Sequence, residues 1–192
     1  MKYVILIPIY NDRESLKLLI ENINNEIKAL NHEISIVIIN DASSHQIVDI
    51  YPNIENINSI ELINMKENRG HARCIASGLK YIFEKKEFDY IIPMDGDGED
   101  RPEEIKNFIE ISKEAGDKSV VGERIKRSEG LIFKTCYKFH KFLTLAFTGQ
   151  SIKFGNFTCL SKPTVKKLLK EKATWNSFSG CLLYTSDAAD DV

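Results

Sequence analysis

Tyr90-Ile91-Ile92-Pro93-Met94-Asp95-Gly96-Asp97-Gly98-Glu99-Asp100 passes from an unbroken apolar run into an acidic loop within a single residue. An apolar run of this length, with no polar residue alternating in it, predicts a strand over residues 89–94 that is buried on both faces. Carboxylates follow at Asp95, Asp97 and Glu99, separated by glycines that allow a sharp backbone turn. Carboxylates held so close repel one another and call for a cation. All-oxygen donors suit Mg²⁺ or Mn²⁺, held by one or two carboxylates and completed by substrate phosphates. Asp95, Asp97 and Glu99 are therefore the candidate metal ligands. A solvated acidic turn capping the next helix would show the same residues, since Asp100 precedes Arg101-Pro102 and proline suits a first helical turn. A calcium-binding hand is disfavoured by the flanking strand and by the missing twelve-residue ligand pattern.

Upstream, residues 3–9 form a second continuous apolar run, and Asn11 and Asp12 stand where a helix cap is needed. Leu16, Leu19, Ile20, Ile23, Ile27 and Leu30 then recur at three- and four-residue steps, giving one apolar helical stripe. Residues 34–39 predict another buried strand, which ends in the turn-rich Asn40-Asp41-Ala42-Ser43-Ser44. A strand is expected over 60–65 and a helix over 70–83, with Ile75, Leu79, Ile82 and Phe83 inward. Downstream, the helix after Pro102 carries Ile105, Phe108, Ile109 and Ile111, and residues 119–122 read as a short strand. Alternation of this kind predicts an α/β fold, a mostly parallel sheet flanked by helices. Ligands of such sheets bind beyond the carboxyl ends of strands, where Asn11, Asp41 and Asp95 fall.

The 192 residues suffice for one domain with a sizeable core. With 26 Lys+Arg against 28 Asp+Glu the formal charge is −2, so no global basic excess points to nucleic acid. Cys74, Cys136, Cys159 and Cys181 contain no CxxC pair and do not cluster with His32, His45, His71 or His140, which argues against zinc and for thiols in a reducing cytosol. The opening apolar run is too short for a signal peptide and is interrupted by Pro8, and no 18-residue uncharged apolar stretch occurs.

Together these pieces resemble the family 2 inverting glycosyltransferases with the GT-A (Rossmann-like) fold, and most nearly the branch that loads sugars onto polyprenyl phosphates, such as the dolichyl-phosphate transferases. The likeness runs from about residue 3 to residue 180. Val4-Ile5-Leu6-Ile7-Pro8-Ile9-Tyr10-Asn11 resembles the opening strand and nucleotide-contact turn. Ile38-Ile39-Asn40-Asp41-Ala42-Ser43 resembles the second-strand motif, with Asn40 replacing the first of its two acids. Asn68-Arg69-Gly70-His71-Ala72-Arg73 with Gly78-Leu79 resembles a helix start, and Met94-Asp95-Gly96-Asp97-Gly98-Glu99 the metal motif. The resemblance implies nucleotide-sugar contacts at Pro8, Tyr10, Asn11, Asp41, Gly70 and Asp95. It implies catalytic roles for Asp97 and Arg124, and Mg²⁺ or Mn²⁺ at Asp95, Asp97 and Glu99.

Asp41 suits a base N–H as acceptor, or its own turn backbone. Gly70 opens a helix, whose N-terminus attracts anions, and His71 or Arg73 could reach a phosphate or remain surface side chains. Arg124 and Arg127 follow the fifth strand, either as bidentate phosphate ligands or as a solvated basic loop.

Residues 131–147 are apolar apart from Lys134, Lys138 and Lys141, which share one helical face, while Ile132, Cys136, Phe139, Leu143, Ala146 and Phe147 share the other and Leu145 breaks the pattern. This reads as a basic amphipathic helix at a membrane interface, or as a helix packed on the protein's own core or on a partner helix. Gly155-Asn156-Phe157 resembles the acceptor-side strand, often Gly-Asp-Phe in the family. Asn156 cannot act as a general base, which favours an acceptor already ionised near neutral pH, a lipid phosphate.

The segment from Cys181 to Val192 resembles a translated sequencing-library adapter and is set aside from fold reasoning. The expected organisation is thus a GT-A domain over 1–180, incomplete at its C-terminus, and a non-native tail over 181–192. The expected partners are a nucleotide-diphosphate sugar and a polyprenyl-phosphate or glycan acceptor. The expected place is the cytoplasm, peripheral at the inner membrane face, with the presence of transmembrane helices beyond residue 180 left open. The competing expectations are transfer to a cell-envelope glycan hydroxyl and a nucleotide-sugar-binding fragment without turnover. A nucleotidyltransferase is weaker, because the Gly-rich, Lys-bearing N-terminal loop is missing.

Overall fold

The computed structural model describes residues 1–45, 54–123 and 154–178. Arg124, Arg127, the helix expected over 131–147 and the tail over 181–192 lie outside the described residues. In chain order the elements are β1 (Lys2–Ile9), α1 (Arg13–Glu26), β2 (Glu33–Asn40), β3 (Ser59–Asn64), α2 (His71–Lys85), β4 (Tyr90–Pro93), α3 (Ile105–Ala115), β5 (Val120–Glu123), β6 (Phe154–Ser161) and α4 (Lys162–Leu168).

Among the described residues six strands form one sheet in the order β3-β2-β1-β4-β6-β5. The first four pair in parallel, with Lys2 opposite Glu33 and Tyr3 opposite Tyr90. β6 runs antiparallel to both β4 and β5. The sheet is therefore mostly parallel, as the alternation of strand and helix implies.

The two-residue period of a strand sorts its side chains into two cores. Tyr3, Ile5, Ile7 and Ile9 of β1 and Ile34, Ile36 and Ile38 of β2 meet Leu16, Ile20 and Ile23 of α1 and Ile105, Phe108 and Ile109 of α3. Val4, Leu6, Val37 and Ile39 point the other way, onto Ile75, Leu79 and Ile82 of α2 and Val165 and Leu168 of α4. The α2 layer lies close on the sheet: a Cβ at Gly78 would stand 2.3 Å from Leu6 Cδ1, so no larger residue fits unless the leucine moves.

Ile111 does not join the core. It is 52% exposed, while Ile105, Phe108, Ile109 and Ser112 form the buried stripe of α3. Ile111 lies two residues, about 200°, beyond Ile109, which turns it to solvent. Phe83 is half-buried, at the rim of the second core. Pro102 opens a 3₁₀ turn (Pro102–Glu104) that leads into α3.

Strand order fixes where a ligand would sit. From β1 the chain moves outward through β2 to β3, then returns to place β4 on the other side of β1. The crevice beyond the carboxyl ends of β1 and β4 is the topological switch point, the usual ligand position in open α/β sheets.

Candidate active site

A cleft of about 360 Å³ occupies that switch point, lined by Pro8, Ile9 and Tyr10 from the end of β1, Asp12 at the cap of α1, His71 at the start of α2, and Asp95, Gly96 and Asp97 after β4. Tyr10 is 52% exposed. Gly96 permits the close approach of the two strand ends, since a Cβ there would meet Pro8 O at 3.0 Å and Ile9 Cδ1 at 3.1 Å.

The acidic loop is fixed at its start and turned at its middle. Met94 N–H donates to Leu6 O (2.9 Å), and Asp95 N–H donates to Asp100 Oδ2 (2.8 Å). Asp100 is buried. Gly98 adopts φ +79°, a left-handed turn open to glycine, and Asp97 Oδ1 accepts the Glu99 N–H at 2.9 Å.

The expected triad is not assembled: among the described residues no three His, Cys, Asp or Glu side chains are close enough together to hold a metal. Asp95 and Asp97 line the cleft, whereas Glu99, past the Asp97–Glu99 turn, is exposed and outside its lining. Two oxygen-donor carboxylates on an open wall still suit a divalent cation whose remaining ligands come from a bound diphosphate.

Behind the cleft, Asp41 joins the end of β2 to the start of α2. Its buried carboxylate accepts the Arg69 N–H at 2.8 Å and the Gly70 N–H at 2.9 Å, and its own N–H donates to Ile9 O at 2.9 Å. The Gly70 amide is thus directed at Asp41. Gly70 itself has φ +83°. Burial, and then the nearby Asp41 charge, push the Cys74 thiol up to about 12, which makes it inert.

Asn40 uses both ends of its amide: Nδ2 donates to Asn64 Oδ1 (2.8 Å) and Oδ1 accepts the Ser43 N–H (3.0 Å). An aspartate there could not make the first of these bonds when ionised. Asn11, at φ +55°, accepts from Ser44 N–H (2.8 Å) and Ser44 O–H (3.0 Å) through Oδ1, tying the β1 and β2 loops together. Asp12 alone serves as the cap of α1, accepting the Ser15 N–H at 3.1 Å.

Three features lie beyond the sequence reading. Asp12 lines the cleft as well as capping α1. Asp100 pins the Asp95 backbone. His71 Nε2 stands 3.2 Å from Asp95 Oδ1 across the cleft. The acid-rich spacing hinted at Asp100, but nothing in the sequence pairs positions 71 and 95.

Comparison with known proteins agrees with this fold. An undecaprenyl-phosphate 4-deoxy-4-formamido-L-arabinose transferase from Photorhabdus laumondii is 32% identical over 162 residues, 83% of this chain and 47% of that protein. The protein of the same name from Yersinia enterocolitica is 30% identical over 160 residues, again 83% of this chain and 47% of its own length. The chain thus spans about half the length of the curated relatives it matches. Two solved structures share the fold. TarS 1-349 of S. aureus in complex with UDP-GlcNAc superposes with a TM-score of 0.56 at 19% identity, covering 87% of this chain and 47% of that one. The mannosyltransferase PcManGT from Pyrobaculum calidifontis, in complex with GDP-Man and Mn²⁺, gives a TM-score of 0.56 at 16% identity over 87% of this chain and 46% of its own. Residues 4–172 match the pattern of glycosyl transferase family 2, and with its strand order and switch-point cleft the chain belongs to that family.

Proposed function

We propose that this chain forms the donor-binding part of a glycosyltransferase that moves a sugar from a nucleotide-diphosphate sugar to a polyprenyl phosphate, with inversion at the anomeric carbon. The observation that carries the reading is the pair of carboxylates, Asp95 and Asp97, on the wall of the switch-point cleft. The names of the relatives support the lipid acceptor, and the Mn²⁺ in the mannosyltransferase structure supports a divalent ion.

In this reading the base lies along Pro8 and Tyr10, with the exposed Tyr10 ring offering an aromatic face, while Asn11 and the buried Asp41, which do not line the cleft, hold the loops behind it. The diphosphate lies towards Gly70 and the acidic loop. Asp95 and Asp97 would hold Mg²⁺ or Mn²⁺, with Glu99 in the same loop but outside the cleft lining. Bound there, the cation supplies Lewis-acid stabilisation of the charge on the departing diphosphate. Arg124, outside the described residues, supplies a further positive charge to that phosphate.

An acceptor phosphate oxygen attacks the anomeric carbon from the face opposite the diphosphate. The new C–O bond forms as the old one breaks, and the electron pair leaves on the diphosphate. A phosphate monoester is ionised at neutral pH, so Asn156 in place of an acid is no obstacle. The basic amphipathic segment over 131–147 would rest at the inner face of the membrane. Among the described residues no helix is long and apolar enough to cross it.

The test is transfer of labelled sugar from UDP- and GDP-linked donors to undecaprenyl phosphate and to glycan acceptors, with and without EDTA. The expected result is a lipid-linked product that disappears on chelation. Product on glycans alone would move the acceptor to a hydroxyl. Metal-dependent nucleotide binding without product would make the chain a binding module, and transfer that resists EDTA would remove the metal.

A further inference from the structure

We propose that the helical layer formed by α2 and residues 162–175 is a docking face for an anionic membrane surface, with the exposed lysines of α4 and of the turns after it as the contact. The inference deepens the membrane reading given above by naming a second contact outside the 131–147 segment. It rests on that reading only for the choice of a lipid partner.

The sheet divides the charge of the chain unequally. On one side, α2 and residues 162–175 carry eight Lys and Arg and two Glu. On the other side, α1 and α3 with the short helical turns beside them, over residues 13–29 and 102–115, carry five Lys and Arg and seven Glu. The two layers pack into different cores on opposite faces of the sheet, so the asymmetry lies across the molecule. The formal charge of −2 conceals it.

The positive charge is densest on α4. Val165 and Leu168 are buried in the second core, while Lys162, Lys166, Lys167, Lys170 and Lys172 are all exposed. Helical winding continues past the end of α4, with Leu169 N–H donating to Val165 O at 3.0 Å and Lys170 N–H to Lys167 O at 3.0 Å. At about 100° per residue the first four lysines fall within an arc of roughly 140°, opposite Val165 and Leu168. Lys162 Nζ lies over the Phe88 ring, 5.2 Å from its centroid. Three acids stand nearby: Asp89 and Asp117, which line a cavity with Lys162 and Lys166, and the exposed Glu171. Five cations against these three leave the face positive. Among the described residues Lys166, Lys170 and Lys172 take part in no ion pair.

The residue types point to a bilayer. Arginine is the usual choice for nucleic-acid recognition, yet seven of the eight cations are lysine, with Arg73 the exception. Lysines clustered on one helix face suit the diffuse negative potential of anionic headgroups, which needs no shaped pocket. Trp175, half-buried, closes the stretch and is an aromatic type that sits at headgroup level. None of these lysines lines the switch-point cleft, so substituting them leaves the donor site intact.

The test is sedimentation of the full chain with phosphatidylcholine vesicles, made with and without phosphatidylglycerol, at low and high salt. Binding is expected only with the anionic lipid and only at low salt. Lys166→Gln/Lys167→Gln/Lys170→Gln/Lys172→Gln is expected to weaken it several hundred-fold, at about 5-fold per lysine. Arg13→Gln/Lys17→Gln/Lys28→Gln/Lys113→Gln removes the same charge from the other layer and is expected to leave binding nearly unchanged. All eight residues are exposed, and far-ultraviolet circular dichroism checks that both variants are folded. If the two quadruple variants lose binding alike, net charge and not this face attracts the membrane, and the inference fails. If the α4 variant binds as the unsubstituted chain does while Lys134→Gln/Lys138→Gln/Lys141→Gln releases the vesicles, the membrane reading stands on the 131–147 segment alone and this face is merely solvated. If the unsubstituted chain binds neither kind of vesicle, both readings fail. Tighter binding to duplex RNA than to the anionic vesicles at the same salt would make the face a nucleic-acid surface and overturn the lipid partner.

Discussion

The two ends of the same parallel strands are built in opposite ways. At the amino end Tyr3 and Tyr90, paired across β1 and β4, stack with ring centroids 5.6 Å apart. The Tyr3 hydroxyl and Ser112 Oγ are 2.8 Å apart, and the Tyr90 hydroxyl donates to Ser112 O at 3.0 Å. Burial, first among the causes, raises both phenols above their ordinary range, so they stay neutral. Lys2 N–H donates to Asp89 Oδ2 at 2.8 Å beside them. At the carboxyl end the same strands lead into Asn11 and Ala42 in the left-handed region, glycine turns, and two like charges on one wall. One end ties its two tyrosine hydroxyls to Ser112 inside the protein. The other holds backbone in the left-handed region and two carboxylates on the wall of an open cleft. Strain and clustered charge persist where the surrounding structure over-determines them, and here the over-determination comes from the tyrosine end and the two packed cores.

If the ends are independent, they respond to different substitutions. The largest effect is expected from Asp97→Ala. Losing several kcal/mol of charge stabilisation on the leaving group corresponds to a fall in transfer of roughly 100-fold or more. The urea midpoint should stay in place, because an exposed carboxylate beside another contributes little to folding. A parallel fall in midpoint would make Asp97 a structural residue. Tyr3→Phe is the opposite case. It removes the hydroxyl that meets Ser112 in the core and should cost about 1 kcal/mol of stability, read from urea unfolding. Transfer per folded molecule and donor affinity should not change. If they fall together with stability, the two ends are coupled through the sheet.

The contrast also explains what a reader of the sequence can and cannot recover. Apolar runs and the stripe from Leu16 to Ile27 declare β1, β2 and α1, because each strand face and helix face meets its own core and must be apolar there. The reversal of β6 is not declared, since direction leaves no mark on composition. Ile111 misleads because an apolar residue off the stripe looks the same as one on it. At the site, residue types were legible and partners were not. The acid-glycine loop marks a turn of carboxylates, but not that Gly98 and the Asp97–Glu99 bond would send Glu99 away from the cleft. Asp41 meets Arg69 and Gly70 across 28 and 29 residues, and such pairings exist only once the strands are ordered.

The smallest effect offers the sharpest test of the strain itself. Ala42 follows Asp41 at φ +56° and is half-buried, with no side-chain polar group to justify the conformation. An L-residue in the left-handed region costs about 1–2 kcal/mol, while replacing alanine by glycine gives back about 0.4–1 kcal/mol through the freer unfolded chain. Ala42→Gly should therefore stabilise the protein, by about 0.5 kcal/mol net. Asn11→Gly should not, although φ is nearly the same at +55°, because the Asn11 side chain holds Ser44 through an N–H at 2.8 Å and an O–H at 3.0 Å. The pair thus separates strain that is merely tolerated from strain that is held by contacts. If Ala42→Gly lowers the urea midpoint, the left-handed turn after β2 is not strained, and the carboxyl end owes its shape to hydrogen bonds alone.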